Sequence, residues 1–301
     1  MRGLRSFIAL LVVAIALGAY LYFVESKQTP GAESEPRDKV FTVEADQIEE
    51  MTDTYEKGEQ TRHKKSGTNW QLTPPVTADA DDSEAPGIAR NLATLEQQRV
   101  VEEKPADLAE FGLAKPRIQV TFKAGGQDHA LLIGSKTPTG SDLYAKTAAD
   151  PKVFLISSYL ESTFNRNTFD LRDKAALKVD RDAADRVEVV AGTQSMKFGK
   201  KDGQWQIIEP AVPRVDLPAV EGLVSRLDGV QMKKIVAPKA ENLEQYGLET
   251  PAATVRVGGG SAEATLLIGS KTEEGDLYAK DSSRPDIFTI ESTLLDDLQK
   301  G

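Results

Sequence analysis

The sequence predicts an α+β protein: two tandem repeats of a mostly antiparallel sheet with short helices, preceded by one transmembrane helix. Three observations lead there. Residues Lys104 to Thr137 recur at Lys239 to Thr272, offset by 135 positions without a gap, and 14 of these 34 positions are identical. Self-similarity at a fixed offset marks a duplicated structural unit. Within each copy, short apolar stretches come in hairpin-sized pairs with helical stretches interposed, a pattern of antiparallel rather than doubly wound sheet. The third observation is the uninterrupted apolar run from Phe7 to Val24.

That run of 18 residues spans about 27 Å as a helix, close to the ~30 Å hydrocarbon core of a bilayer. Arg2 and Arg5 precede it, whereas Glu25 and Lys27 are the first charges after it. The positive-inside rule then places the N-terminus in the cytoplasm and the rest outside. Tyr20, Tyr22 and Phe23 suit the outer interface. A cleaved signal peptide, ending after Ala14-Ile15-Ala16, is the rival. The apolar run continues past that point, which favours an uncleaved anchor over residues 1–24. Either way the body is exported. The chain has no cysteine, which excludes disulfides, thiolate metal sites, a Cys nucleophile and a lipidated-Cys anchor.

Residues 25–39 form a polar linker with Pro30, Gly31 and Pro36. The first repeat follows over 40–176 and the second over 177–301. Each opens with a hairpin ending at a tryptophan, Trp70 or Trp205, and Pro74 or Pro210 then breaks the strand. A helix comes next. In the second copy Asp216 suits its N-cap and Pro218 its first turn, with a Val220, Leu223, Val224, Leu227 stripe. In the first copy Asp81, Ile88, Leu92 and Leu95 match more weakly, because Pro86 and Gly87 fall in the first turns. Short strands are expected around Val100-Val101 and Ile235-Val236.

Leu108-Ala-Glu-Phe-Gly-Leu and Leu243-Glu-Gln-Tyr-Gly-Leu read as a helical turn stopped by Gly112 or Gly247 in the left-handed position. Leu113 or Leu248 folds back, and Pro116 or Pro251 prevents resumption. Alternation at Ile118, Val120 and Phe122, a turn at Gly125-Gly126 and a return through Leu131-Leu-Ile-Gly make a hairpin, repeated through Val255, Val257 and Leu266-Leu-Ile-Gly. Leu143-Tyr-Ala-Lys and Val153-Phe-Leu-Ile pair around Asp150-Pro151, as do Leu277-Tyr-Ala-Lys and Ile287-Phe-Thr-Ile around Arg284-Pro285. Closing helices start near Ser158 and Ser292.

Four motifs thus recur in order: Trp-x-hydrophobic-x-x-Pro, Tyr/Phe-Gly-Leu-x-x-Pro, Leu-hydrophobic-Ile-Gly and Leu-Tyr-Ala-Lys. In these the chain resembles a bacterial envelope family known as domain of unknown function 4340. The resemblance covers nearly everything after the linker. It implies a single-anchor exported protein of the kind often encoded beside ABC-type transporter subunits of the gliding-motility type. No catalytic residues are established for that family, so it implies none here.

Composition excludes other classes. A net charge of −10 opposes sequence-independent nucleic-acid binding and polybasic adhesion to anionic lipid. Gly134-Ser-Lys-Thr and Gly269-Ser-Lys-Thr are similar to the end of a phosphate-binding loop, but lack the upstream glycine and the following helix, so hairpin connections are expected. Tyr144 with Lys146, and Tyr278 with Lys280, each share one strand face. With Lys136 and Lys271 they form the one candidate interaction face for an anionic group or a partner edge. A solvated sheet face, its lysines discouraging edge pairing, accounts for the same pattern and is favoured.

His63 and His129, the only histidines, fall in polar surroundings and are expected at the surface. A zinc site or a Ser-His-Asp triad lacks converging partners in the sequence. The carboxylates Asp79, Asp81, Asp82 and Glu84 have no EF-hand spacing and are assigned to a helix N-terminus. Trp70 and Trp205, equivalent in both copies, are assigned to the core.

No cofactor, metal or enzymatic activity is expected. The anchor predicts a bacterial inner-membrane protein, single-pass with a periplasmic body, and the family resemblance implies an accessory or scaffold subunit of an ABC-type transport system. The alternative is a periplasmic binding module for a lipid, glycan or peptide, using the crevice between modules or a sheet edge.

Overall fold

The computed structural model describes residues 38–178, 180, 182–209, 217–239 and 241–300. The expected anchor, all of the linker before Asp38, Pro210 and Asp216 lie outside the described residues. Among the described residues no helix is long and apolar enough to cross a membrane.

In the first repeat, strands β1 (Ile48–Thr54), β2 (Gln60–Ser66), β3 (Asn69–Thr73) and β4 (Ala78–Asp79) lead to helix α1 (Glu84–Ala93). Then come β5 (Arg99–Glu102), β6 (Ile118–Ala124), β7 (Gln127–Lys136), β8 (Asp142–Thr147) and β9 (Val153–Ser157), closed by α2 (Glu161–Phe164) and α3 (Thr168–Leu171). The second repeat runs through β10 (Arg186–Ala191), β11 (Gln194–Lys201), β12 (Gln204–Glu209), α4 (Leu217–Asp228) and β13 (Lys234–Ala237). It ends with β14 (Ala253–Gly259), β15 (Ala262–Lys271), β16 (Leu277–Asp281), β17 (Ile287–Ile290) and α5 (Thr293–Lys300).

The strands form two antiparallel sheets, one ordered β4-β3-β2-β1-β6-β7-β8-β9-β5 and one ordered β12-β11-β10-β14-β15-β16-β17-β13. From β3 and from β12 onward the two orders are the same. Only β4 has no described counterpart. The lead segments are also tied alike: Val40 N–H donates to the Leu95 carbonyl (2.8 Å) and Ala176 N–H to the Val230 carbonyl (2.8 Å). By contact, the described chain divides into two compact units. The first takes residues up to Gln60 with Pro86–Arg166, and the second takes Thr61–Ala85 with Asn167 onward.

Alternation sets which side chains each sheet buries. On β6, Ile118, Val120, Phe122 and Ala124 face inward and the residues between them do not. In the second repeat Val255, Val257, Leu266, Ile268, Leu277 and Ala279 supply the same face. Helices α4 and α5 cover it with Val220, Val224 and Leu227, and with Leu294 and Leu298. The stripe predicted on α4 is therefore its buried side. That predicted around α1, Ile88, Leu92 and Leu95, is buried too, despite Pro86 and Gly87 in its first turns. Both tryptophans are buried as expected, and truncating such an aromatic typically costs about 3–5 kcal/mol.

The Phe-Gly-Leu and Tyr-Gly-Leu segments are single 3-10 turns over Ala109–Phe111 and Glu244–Tyr246. Gly112 (φ +68°) and Gly247 (φ +65°) end them in the left-handed conformation, which other residues adopt only at a cost. Leu113 and Leu248 N–H then donate back to the Leu108 and Leu243 carbonyls at 2.9 and 3.0 Å. Each turn lies directly against the end of β7 or β15. A Cβ on Gly134 would collide with the Phe111 carbonyl oxygen and come within 3.0 Å of Leu113. One on Gly269 would collide with the Tyr246 carbonyl oxygen. The Gly-Ser-Lys-Thr motif owes its glycine to this backbone approach.

Gly134→Ala and Gly269→Ala are each expected to lower unfolding free energy by at least about 2 kcal/mol in urea denaturation. Gly87→Ala has open space around it and should be neutral or stabilising by up to ~1 kcal/mol.

Candidate functional site

The expected interaction face begins where β7 ends. Thr137 and Thr272 close the hairpin connections: their N–H groups donate to the Asp142 and Asp276 carbonyls, and they accept from Gly140 and Gly275 N–H. Lys136 pairs with Glu161 at 2.5 Å, and Arg117 links Glu161 (2.5 Å) to Glu56 (3.2 Å). Burial alone would raise the Glu161 carboxyl. The hydrogen bonds from Lys136 and Arg117 outweigh it and hold the group below its ordinary value. Lys271 is exposed.

Tyr144 and Tyr278 are half-buried. Their rings meet Phe111 and Tyr246 of the 3-10 turns edge-on, at 5.1 and 5.2 Å between centroids. In the first repeat this face holds a small apolar cluster of Phe111, Leu113 and Val153, with Tyr144 packed against it. Lys146 donates to the Thr147 carbonyl (2.9 Å), and Lys280 to the carbonyls of Asp281 (3.2 Å) and Arg284. Strand alternation thus keeps each Tyr/Lys pair on one face, but the turn covers the tyrosines and the lysines close the following loop.

Both histidines depart from expectation. His63 is 1% exposed and its ring stands edge-on to Trp70 at 6.5 Å. Its neighbours in sequence are charged, but strand alternation turns His63 inward with Thr61 while Arg62 and Lys64 point out. His129 is half-buried, stacked on Phe122 (5.0 Å, 19°) with Phe41 edge-on at 5.8 Å. Among the described residues no group of three His, Asp or Glu side chains could hold a metal ion.

Of the four clustered carboxylates, Asp81 accepts from the backbone N–H of Ser83 (2.9 Å) and Glu84 (3.2 Å) ahead of α1. Burial would raise its pKa, but these bonds, the Ser83 hydroxyl and nearby Lys174 leave it lowered. Asp79 pairs with Lys178.

Among the described residues, two further differences between the repeats bear on chemistry. One is a buried ionic cluster that joins the β16–β17 loop of the second repeat to the segment just before that repeat. Arg172 and Asp286, both under a tenth exposed, pair at 3.0 Å, and Arg284 donates to the carbonyls of Ala175 and Ala176 at 3.0 Å each. Asp281 accepts from Ser283 N–H and hydroxyl and faces Arg284 Nε at 3.5 Å. By register Asp281 stands where the first repeat has Thr147, opposite Leu266 and Leu131 respectively. The cluster fastens the segment that leads into the second repeat onto the β16–β17 loop.

The other difference lies in the first repeat. Asp53 lies opposite Val120, and the second repeat puts Val189 there, opposite Val255. His63 lies opposite Leu72, and Phe198 opposite Ile207. An open cleft of about 690 Å³ is also lined by Phe41, Phe122 and His129. Val257 and Ala264 replace the last two at the 135-residue offset. No local pattern in the sequence signals this cleft, because its walls come from residues 40–42, 50–52, 121–123, 127–130 and 147–149.

The family described as Domain of unknown function (DUF4340) matches residues 70–214 and again residues 205–301. The two matches start at Trp70 and Trp205, separated by the repeat offset of 135 (205 − 70). No curated protein and no solved structure matches the chain.

Asp286→Ala leaves Arg172 charged and buried without its partner, so it should cost about 3–5 kcal/mol in urea denaturation. Arg172→Met combined with Asp286→Leu should recover most of that loss.

Proposed function

The chain belongs to the Domain of unknown function (DUF4340) family, and from that premise we propose a membrane-anchored envelope protein without catalytic activity, an accessory or scaffold subunit of an ABC-type transport system. One observation carries this. The residues that the repeats share most closely are occupied by structural contacts: Gly112 and Gly247 in turns, Gly134 and Gly269 under carbonyls, Lys146 and Lys280 on loop carbonyls. A duplicated catalyst would keep a polar constellation pointing into a shared kind of pocket. The ionic cluster of Arg172, Asp286 and Arg284 is engaged in holding the segment that leads into the second repeat.

The apolar run Phe7–Val24, with Arg2 and Arg5 before it, supports an inner-membrane anchor and a periplasmic body. The association with a permease and ATPase rests on the company that the family resemblance implies. A second possibility, a periplasmic binding module, is favoured by the cleft of the first repeat, whose aromatic and imidazole lining the second repeat does not reproduce.

Extraction in mild detergent and affinity capture of the full chain should recover permease and ATPase subunits in fixed ratio. A clean monomer, together with wild-type transport in a strain lacking the protein, contradicts the scaffold assignment.

A further inference from the structure

We propose that the cleft of the first repeat binds a short neutral oligosaccharide, a proposal that rests on the binding-module possibility and names its ligand class. The cleft measures about 690 Å³ and is open to solvent, within the ~300–1,000 Å³ range of small-ligand sites. Its recognition elements are side chains. The walls on β1, β6 and β7 belong to strands inside the sheet order, so their backbone groups already serve ladders. An added peptide strand has no edge to pair with there.

The floor and the rim then select among ligands. Phe41 and Phe122 are nearly buried, and His129, stacked on Phe122, is the part of the trio that solvent reaches. A flat ring with polar edges suits the C–H face of a sugar better than an acyl chain, which needs an enclosed dry channel. Around it stand the hydroxyls of Thr42, Thr52 and Thr121 and the exposed Gln127 amide. Hydroxyls and the amide both donate and accept, as polyhydroxyl ligands require, although the Thr121 hydroxyl also donates to the Thr52 carbonyl at 3.5 Å. The charged rim is Glu50, Asp128 and Lys123, two carboxylates against one ammonium, which disfavours phosphate or any other anion.

Two histidines make the test specific. His129 lines the cleft and His63 is buried elsewhere, so their imidazole signals serve as reporter and control. Long-range ¹H–¹⁵N spectra of the full chain in micelles are followed while chitotriose or maltotriose is added, with trialanine and the water-soluble lipid analogue dibutanoylphosphatidylcholine in parallel. One of the sugars is expected to move the His129 signals saturably and leave His63 in place. Gln127→Ala with Asp128→Ala, both exposed, should weaken that sugar about tenfold without lowering the melting temperature. Absence of any sugar-induced shift at millimolar concentration overturns the proposal, as does a shift shared by His63 or unchanged in the double variant. If trialanine or the lipid analogue moves His129 instead, the oligosaccharide class is overturned while the cleft remains a binding site. If no probe moves it, the binding-module possibility falls as well.

Discussion

The contact on which each repeat depends is a backbone approach, the 3-10 turn at Phe111-Gly112 or Tyr246-Gly247 seated on the end of β7 or β15. Gly112 and Gly247 would each bring a Cβ within 2.8 Å of the Ser135 or Ser270 nitrogen, and Gly134 and Gly269 face the turn's own carbonyls. Glycine is required on both sides because neither backbone can withdraw. The turn is pinned by the return bond to Leu108 or Leu243, and the strand by its ladders. Everything after the turn inherits its position from that seat. Leu113 and Leu248 enter the interior, Tyr144 and Tyr278 find an aromatic neighbour, and Arg117 reaches the Gly134 carbonyl at 3.1 Å.

With the shared motifs so occupied, the copies differ at register-equivalent positions. The second repeat placed charges in its β16–β17 loop and buried them against the incoming segment. Ion pairs removed from water bring little net stability, yet breaking one is expensive, so Arg172–Asp286 acts more as a lock on geometry than as a source of energy. The first repeat kept Asp53 and His63 at buried positions where the second has valine and phenylalanine. It also surrounded His129 with Phe41 and Phe122. The second repeat thus adds a fastening of its own lead segment, and the first an aromatic and imidazole lining that the second does not reproduce.

Much of this architecture was legible in the chain, for a physical reason. Hairpins, the Gly-Leu turn and the α4 stripe are fixed by residues within a few positions of one another, which periodicity and turn chemistry report. Pro86 and Gly87 lowered the expectation for α1, but the burial of Ile88 and Leu92 overrode that propensity. Longer-range features were hidden. The reason for glycine at 134 lies at Phe111, and the partner of Arg172 lies at Asp286. His63 looked solvated because its sequence neighbours are charged, although strand alternation turns it inward beside Trp70. The cleft has no local signature, since Phe41, Phe122 and His129 meet only through the fold.

The direct test of the seated turn is native-state hydrogen exchange at the Leu113 and Leu248 amides. Both should exchange only through unfolding of their own sheet. Gly134→Ala should release Leu113 alone, and Gly269→Ala should release Leu248 alone. Free exchange at either amide in the unaltered protein, or a Leu113 amide that stays protected in Gly134→Ala, would contradict the account.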